Sequence, residues 1–176
     1  GASQALSAET ASRPNIVVML TDDQRWDAVG HVQRTFGGRF SFFRNSTPNI
    51  DRIASGGVWF NNAFVVDSLC SPSRAAYLTG KYNHINGIVD NHTPLPIGSQ
   101  TYATLLRAAG YRTGYFGKWH MGSQRQRPGF DEYASFVGQG EYLNTPLLIN
   151  GAETPTTGWV DDVTTGYAVD FIRRSA

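Results

Sequence analysis

The single cysteine of the chain opens a short run of residues whose types suit chemistry on an anion. Ser71 and Pro72 follow Cys70, and Arg74 lies one helical turn after it. A serine can cap a helix and a proline suits its first turn, so the run predicts a helix that begins beside the thiol. Cys70 would then lie at the positive end of a helix dipole, near a guanidinium. That environment favours an anion and a nucleophile that attacks it; the alternative is a buried, hydrophobic cysteine.

Two adjacent carboxylates follow an apolar run at residues 15–20. The run is typical of a strand buried on both faces of a parallel sheet, and sites in open α/β sheets form where such strands end. Asp22 and Asp23 occupy that position. Adjacent carboxylates repel each other unless a cation lies beside them, and a hard divalent cation is the usual solution. The pair therefore predicts a metal site, with a helix cap or turn as the alternative.

A lysine and a histidine follow a third segment, which predicts a strand at residues 111–116. Lys118 and His120 are two residues apart, so an extended chain would point both side chains to one side. A lysine can neutralise the oxygens of an anionic ester, and a histidine can transfer a proton. The alternative is an exposed lysine and a histidine that is hydrogen-bonded within a loop. His84 is a further candidate, either facing the cleft or serving as a cap in its loop.

Three segments of the chain match one known family in that family's order. Residues 70–74 read Cys-Ser-Pro-Ser-Arg, with Thr79-Gly80 after them, and resemble the maturation signature of the type I sulfatases. The run Thr-Asp-Asp-Gln at 21–24 resembles the family's metal-binding pair, and residues 110–120 resemble its second signature. Tyr77 and Phe116 depart from the usual residues, at what look like packing positions.

The resemblance implies a modified residue and a metal ion. In this family the cysteine, here Cys70, is oxidised to formylglycine by a formylglycine-generating enzyme, and a hydroxyl of the hydrated aldehyde attacks the sulfur of a sulfate ester. Calcium, with magnesium as the alternative, would be bound by Asp22, Asp23 and residue 70. Such an enzyme is a sulfuric ester hydrolase.

The resemblance also assigns roles to the remaining site residues. It implies that Arg74, Lys118 and His120 act with residue 70 in catalysis, and that Lys118 and His120 contact the substrate. His84 is a further candidate for substrate contact because of its position after Thr79-Gly80, and the resemblance does not assign it. The substrate would be a sulfated carbohydrate or an aryl sulfate, since residues 129–140 are similar to bacterial glycan sulfatases of the N-acetylglucosamine-6-sulfatase type. A phosphonate or phosphate ester hydrolase on the same scaffold, and a non-catalytic fragment, remain the alternatives.

The pattern of elements predicts an α/β fold, since helix and strand signals alternate along the chain. The resemblance implies an alkaline-phosphatase-like (sulfatase) fold, of which this chain would be the N-terminal portion with a mainly parallel central sheet. Residues 31–46 show no clear period and predict a surface insertion, and residues 123–158 predict a long irregular excursion. The predicted helices follow residues 47 and 70 and span 101–109 and 160–174, and the predicted strands span 15–20, 58–66 and 111–116.

Length and composition set the remaining bounds. The 176 residues are 40% hydrophobic, enough for one domain with a core. The 15 basic and 14 acidic residues nearly balance without a charge run, which argues against nucleic acid or an anionic membrane as a partner. No apolar stretch is long enough to span a membrane.

The domain organisation follows from these bounds and the resemblance. Residues 1–13 predict a disordered tail, such as follows an export signal, and hence a periplasmic or secreted protein. Residues 14–176 predict the N-terminal part of a sulfatase catalytic domain, because the family's remaining metal ligands lie further along its sequences. We therefore expect a missing C-terminal portion, without which this chain is inactive.

Overall fold

The computed structural model describes residues 13–38, 47–122 and 125–175. The chain divides into two compact units, Gly1–Asn61 and Asn62–Ala176. The predicted tail at residues 1–13 therefore lies, except for Arg13, outside the described residues. Within the described ranges, no helix is both long enough and apolar enough to cross a membrane.

Among its described residues, the first unit contains two helices, α1 (Gly30–Phe36) and α2 (Pro48–Gly56), after a 3-10 turn at Trp26–Ala28. The start of α2 confirms the prediction from Thr47 and Pro48, because proline lies in the first helical turn. Helix α1 contradicts the predicted surface insertion over residues 31–36, and residues 39–46 of that insertion lie outside the described residues.

A buried carboxylate joins these two helices. Asp51 of α2 accepts hydrogen bonds from the backbone N–H of His31 at 2.8 Å and from the guanidinium of Arg34 at 2.8 Å. Thr47 donates a third bond to it at 3.0 Å. Burial acts to raise the pKa of Asp51, but the bonds from Arg34, His31 and Thr47 outweigh burial and hold that pKa below its ordinary value. Asp51 is thus an ionised anchor for the N-terminus of α1.

Two predicted strands, at 15–20 and at 58–66, are wrong for this structure. The side chains from Ile16 to Leu20 are between 48% and 70% exposed, and Phe64 is 89% exposed. Neither run belongs to a sheet with any described residue. A strand is stabilised by hydrogen bonds to a neighbouring strand, so an apolar sequence alone does not make one.

The second unit contains a four-stranded sheet with the order β1-β2-β3-β4. Strand β1 (Gly114–Lys118) pairs in parallel with β2 (Glu132–Phe136). Strands β3 (Leu147–Ile149) and β4 (Ala152–Thr154) continue the sheet in antiparallel orientation. The sheet is therefore mixed, with one parallel pair, and the expectation of a mainly parallel sheet is corrected.

Three of these strands lie in the region predicted to be irregular. Residues 123–158 contain β2, β3 and β4, so the prediction of an irregular excursion is wrong. Asn150 and Gly151, with φ values of 50° and 91°, form the two-residue turn between β3 and β4. An Asn-Gly pair suits such a turn because both central residues need positive φ. Strand β1 confirms the third predicted strand, displaced three residues toward Lys118 at its start.

The part of the second unit that the structure describes also contains four helices: α3 (Cys70–Thr79), α4 (Asn83–Asn86), α5 (Tyr102–Ala108) and α6 (Val160–Ser175). Three of them confirm predicted helices. In one hydrophobic core, α3 and α5 pack around the buried side chain of Trp119. In a second core, α6 packs against the sheet. Tyr77 packs against Tyr102 and Phe116 against Phe171, so both are packing positions as predicted.

Candidate active site

The site begins at the first turn of α3. Cys70 is the first residue of this helix and is partly exposed. Ser71 does not cap the helix with its side chain, which corrects the prediction; its hydroxyl instead donates to the backbone carbonyl of His120. The backbone N–H of Ser71 donates to Oδ1 of Asn91 at 3.0 Å. The cap is therefore supplied by a residue 20 positions away, which no local pattern reveals.

The lysine of the second signature reaches the cysteine of the first. Lys118 is the last residue of β1, and its Nζ lies 3.5 Å from Sγ of Cys70. The same Nζ donates to Oε1 of Gln139 at 2.6 Å. The fold thus brings together a thiol and an ammonium that are 48 residues apart in sequence.

Arg74 braces the backbone beneath this contact. Its side chain is buried, and one guanidinium nitrogen donates to the backbone carbonyl of Lys118 at 2.6 Å. The same nitrogen lies 3.4 Å from the hydroxyl of Tyr115, which also donates to that carbonyl. A charged donor to a buried carbonyl is stronger than a neutral one. Arg74 therefore holds the end of β1 against α3.

His120 has a left-handed backbone conformation, with a φ of 53°, rather than an extended one. The extended chain from which Lys118 and His120 were expected to project to one side is therefore not present at His120. Its backbone carbonyl accepts the hydroxyl of Ser71, as described above. This hydrogen bond places the His120 backbone against the first turn of α3. The half-buried imidazole of His120 remains a candidate for proton transfer.

Trp119, the residue before His120, belongs to a buried aromatic layer. Trp119 is fully buried, and its ring contacts Tyr115 edge-on with centroids 5.2 Å apart. The guanidinium of Arg127 lies 5.1 Å from the Trp119 ring centroid, and its Nε donates to Ser135 at 2.6 Å. Burial lowers the pKa of Arg127 to about 10, so its guanidinium stays charged at neutral pH. This cation–π layer restricts movement of the segment from Lys118 to His120.

The two predicted metal ligands of the first unit are exposed. A carboxylate oxygen of Asp22 and one of Asp23 lie within 4.8 Å of each other. Asp23 has a φ of 46°, which aspartate tolerates better than most residues. Two exposed carboxylates this close carry repelling charges, and their oxygens are the ligands that calcium prefers. The pair fits a hard divalent cation.

His84 is placed on α4 beside the site helix. Its exposed ring stacks on Tyr82, with centroids 5.8 Å apart and planes 14° apart. The preceding residue, Asn83, is buried and donates to the backbone carbonyls of Pro72 and Ile88, each at 2.8 Å. Asn83 thereby attaches α4 to the first turn of α3. This contact fixes the position of the neighbouring residue, His84.

Two residues that contact the site escaped the sequence interpretation. Asn91 and Gln139 each contribute an amide oxygen, to Ser71 and to Lys118 respectively. For Gln139 a signal was available in the sequence, because it lies between Gly138 and Gly140 and closely spaced glycines indicate a turn. For Asn91 no such signal exists in the sequence.

Comparison of the sequence with known proteins shows which protein family it matches. The sequence profile of the sulfatase family matches residues 14–175. The N-acetylglucosamine-6-O-sulfatase of Bacteroides thetaiotaomicron is 38% identical over 169 residues, covering 94% of this chain and 28% of that protein. Arylsulfatase G of Rattus norvegicus is 38% identical over 161 residues, covering 88% of this chain and 28% of that protein.

Solved structures agree on the fold. A protein in complex with its substrate, D-glucosamine-2-N,6-O-disulfate, matches with a TM-score of 0.80 and 38% identity, covering 92% of this chain and 31% of that one. A protein in complex with k-i-k-neocarrahexaose matches with a TM-score of 0.68 and 33% identity, covering 73% and 36% of the two chains. The chain therefore spans less than a third of the curated relatives named above. It has the alkaline-phosphatase-like α/β fold, and it belongs to the sulfatase family.

Proposed function

We propose that this chain is part of a sulfuric ester hydrolase that removes sulfate from a sulfated carbohydrate. The observation that carries the proposal is the 3.5 Å separation between Nζ of Lys118 and Sγ of Cys70. It joins the position of the nucleophile to a cation that can neutralise sulfate oxygens. Neither residue alone would indicate sulfate chemistry, since exposed lysines and partly buried cysteines are common.

Conversion of Cys70 to formylglycine would supply the attacking hydroxyl, which the thiol cannot provide. The run at residues 70–74 supports this conversion. Lys118 would bind a sulfate oxygen and offset the charge that develops on it. Arg74 would keep the Lys118 backbone in place, since its guanidinium donates to that carbonyl at 2.6 Å. His120 would transfer a proton to or from the hydroxyl at residue 70.

Asp22 and Asp23 would hold a calcium ion, with magnesium as the alternative. The support is the close approach of their carboxylate oxygens and the hard character of those ligands. When bound, the ion would supply positive charge against the incoming sulfate and would polarise the oxygen at residue 70.

The substrate class is proposed from the relatives. One curated relative is named an N-acetylglucosamine-6-O-sulfatase, and one solved relative is bound to D-glucosamine-2-N,6-O-disulfate. Another curated relative is named an arylsulfatase, so an aryl sulfate is a suitable reporter substrate. This chain covers 28% of each of these two curated relatives. Further metal ligands and substrate contacts can therefore lie in the part of such a protein that this chain does not cover. We therefore expect the 176-residue chain alone to be inactive and a longer form to be active.

Two measurements test the proposal. Mass spectrometry of the peptide containing residue 70, from a host with a maturing enzyme, should show a loss of about 18 Da as CH₂SH becomes CHO, which lies outside the usual oxidation series. Hydrolysis of the sulfate and phosphate esters of one phenol by the longer form should favour the sulfate. A preference for the phosphate ester would support the phosphate ester hydrolase instead. An unconverted thiol together with no hydrolysis of either ester would support a non-catalytic protein.

A further inference from the structure

The turn after β2 lies beside the catalytic lysine because of the strand register. Strands β1 and β2 are parallel, and their last paired residues are Lys118 and Phe136. The chain leaving Phe136 therefore begins its turn next to Lys118. Gln139 is the third residue of that turn, and its Oε1 accepts a hydrogen bond from Nζ of Lys118 at 2.6 Å.

The backbone of this turn is restricted to glycine on both sides of Gln139. Gly138 and Gly140 have φ values of 63° and 70°, which side chains with a Cβ rarely adopt. A Cβ at Gly140 would lie 2.5 Å from the ring of Phe136, which is buried in the second core. The turn can therefore pack closely on Phe136 only with glycine at this position, and that packing fixes where Gln139 projects.

The lysine needs such a partner. A lysine ammonium is carried on four rotatable carbons and loses rotamer entropy when it is held in one place. The amide oxygen of Gln139 holds Nζ at 2.6 Å, and Nζ in this position is 3.5 Å from Sγ of Cys70. An uncharged acceptor can orient the ammonium without neutralising it, whereas a carboxylate would compete with sulfate for its charge.

We propose that Gln139 is a positioning residue, which holds the Lys118 ammonium where an anion bound at residue 70 will meet it. The role in catalysis rests on the proposed function, since it assigns Lys118 to the sulfate. The contact itself does not depend on that function. An experiment on the unconverted cysteine can therefore examine it separately.

The test compares two alkylating reagents on Cys70 in the intact protein, produced without a maturing enzyme. Iodoacetate is an anion and iodoacetamide is neutral, so the ratio of their rates reports how strongly the site attracts an anion and cancels the intrinsic reactivity of the thiol. Rates are measured by mass spectrometry of the peptide containing Cys70. The variants are Lys118→Met, Gln139→Leu and the double variant, with Gln100→Leu as a control at another exposed glutamine.

We expect Lys118→Met to lower the rate ratio about tenfold and Gln139→Leu about threefold at low salt, because each removes or displaces a nearby positive charge. In the Lys118→Met background, Gln139→Leu should change the ratio less than about 1.5-fold, since the two residues act through one contact. Gln100→Leu should match the parent protein. In the converted, longer enzyme, Gln139→Leu should lower kcat/KM for an aryl sulfate by about the same threefold factor.

Three results would overturn the inference or its basis. A threefold loss that persists in the Lys118→Met background means that Gln139 acts on the anion or the fold directly, not through Lys118. An unchanged ratio in Gln139→Leu means that the contact does not position the ammonium. If instead Lys118→Met leaves hydrolysis of the sulfate ester unchanged, the proposed function of Lys118 is wrong, and the catalytic role of Gln139 is withdrawn with it.

Discussion

The two units of the chain carry their candidate site residues in different ways. In Gly1–Asn61, the proposed metal ligands Asp22 and Asp23 are adjacent residues, so their proximity needs no tertiary contact. In Asn62–Ala176, Cys70 and Lys118 meet across 48 residues through hydrogen bonds between α3 and the end of β1. The candidate site residues of the first unit thus depend on local sequence, and those of the second unit depend on packing. The difference teaches that site residues in the second unit should be far more sensitive to changes in their supporting contacts.

The largest effect should follow from removing the proposed nucleophile of the second unit, residue 70. Cys70→Ala should lower sulfate ester hydrolysis by the longer enzyme about 10⁴-fold or more, because no other group can attack the sulfur. The side chain is only partly buried, so the circular dichroism spectrum and melting temperature should match those of the parent. Hydrolysis that survives this substitution would place the nucleophile elsewhere.

A smaller loss should follow from weakening the metal pair of the first unit. Asp22→Asn and Asp23→Asn should each lower calcium affinity and activity about 10- to 100-fold, since an amide is a poorer ligand than a carboxylate. The matched control is Asp162→Asn, in an acidic pair at the start of α6, where the carboxylates complement the helix dipole. Calcium binding is measured by calorimetry. Full activity in excess chelator would exclude the metal proposal.

The contact between Arg74 and the end of β1, in the second unit, should be sensitive to a single substitution. Arg74→Met should destabilise the protein by about 2 kcal/mol, because the carbonyl of Lys118 loses a charged donor in a buried position. Urea unfolding monitored by tryptophan fluorescence measures this difference. The control Arg173→Met, at an arginine on α6 whose side chain is 75% exposed, should change stability by less than about 0.5 kcal/mol. Equal effects would mean that Arg74 does not brace the site.

The smallest effect should occur at the anchor of the first unit. The pKa of Asp51 is depressed in the folded state, so its contribution is complete above its ordinary pKa and is lost as pH falls through the depressed value. Asp51→Asn should lower the free energy of unfolding by about 1 kcal/mol at neutral pH, and it should remove the loss of stability that Asp51 causes at acid pH. Hydrogen exchange of the amides of α1, recorded as a function of pH, measures this stability. A variant that keeps the parent's acid dependence would assign that dependence to another group.

The elements that were predicted correctly have strong local signals. Helix α2 begins at a proline, and α5 begins directly after Thr101, whose side chain forms a reciprocal cap with Thr104. Signals of this kind lie within a few residues of one another, so the sequence contains them in full. The apolar runs at 15–20 and 58–66 failed as strands because a strand also needs a partner, which the pattern of one segment cannot supply. The Asn150-Gly151 turn was a readable hairpin signal, and it was overlooked.

By itself, the sequence determined the family, the identity of the candidate site residues and most helix positions, because spacing within short motifs encodes them. Only the tertiary structure decided the order of the sheet, the remote cap from Asn91 and the contact of Gln139 with Lys118. The two hydrogen bonds join residues that are 20 and 21 positions apart. Such contacts depend on strand register and helix packing, in which many weak interactions across the unit are satisfied together.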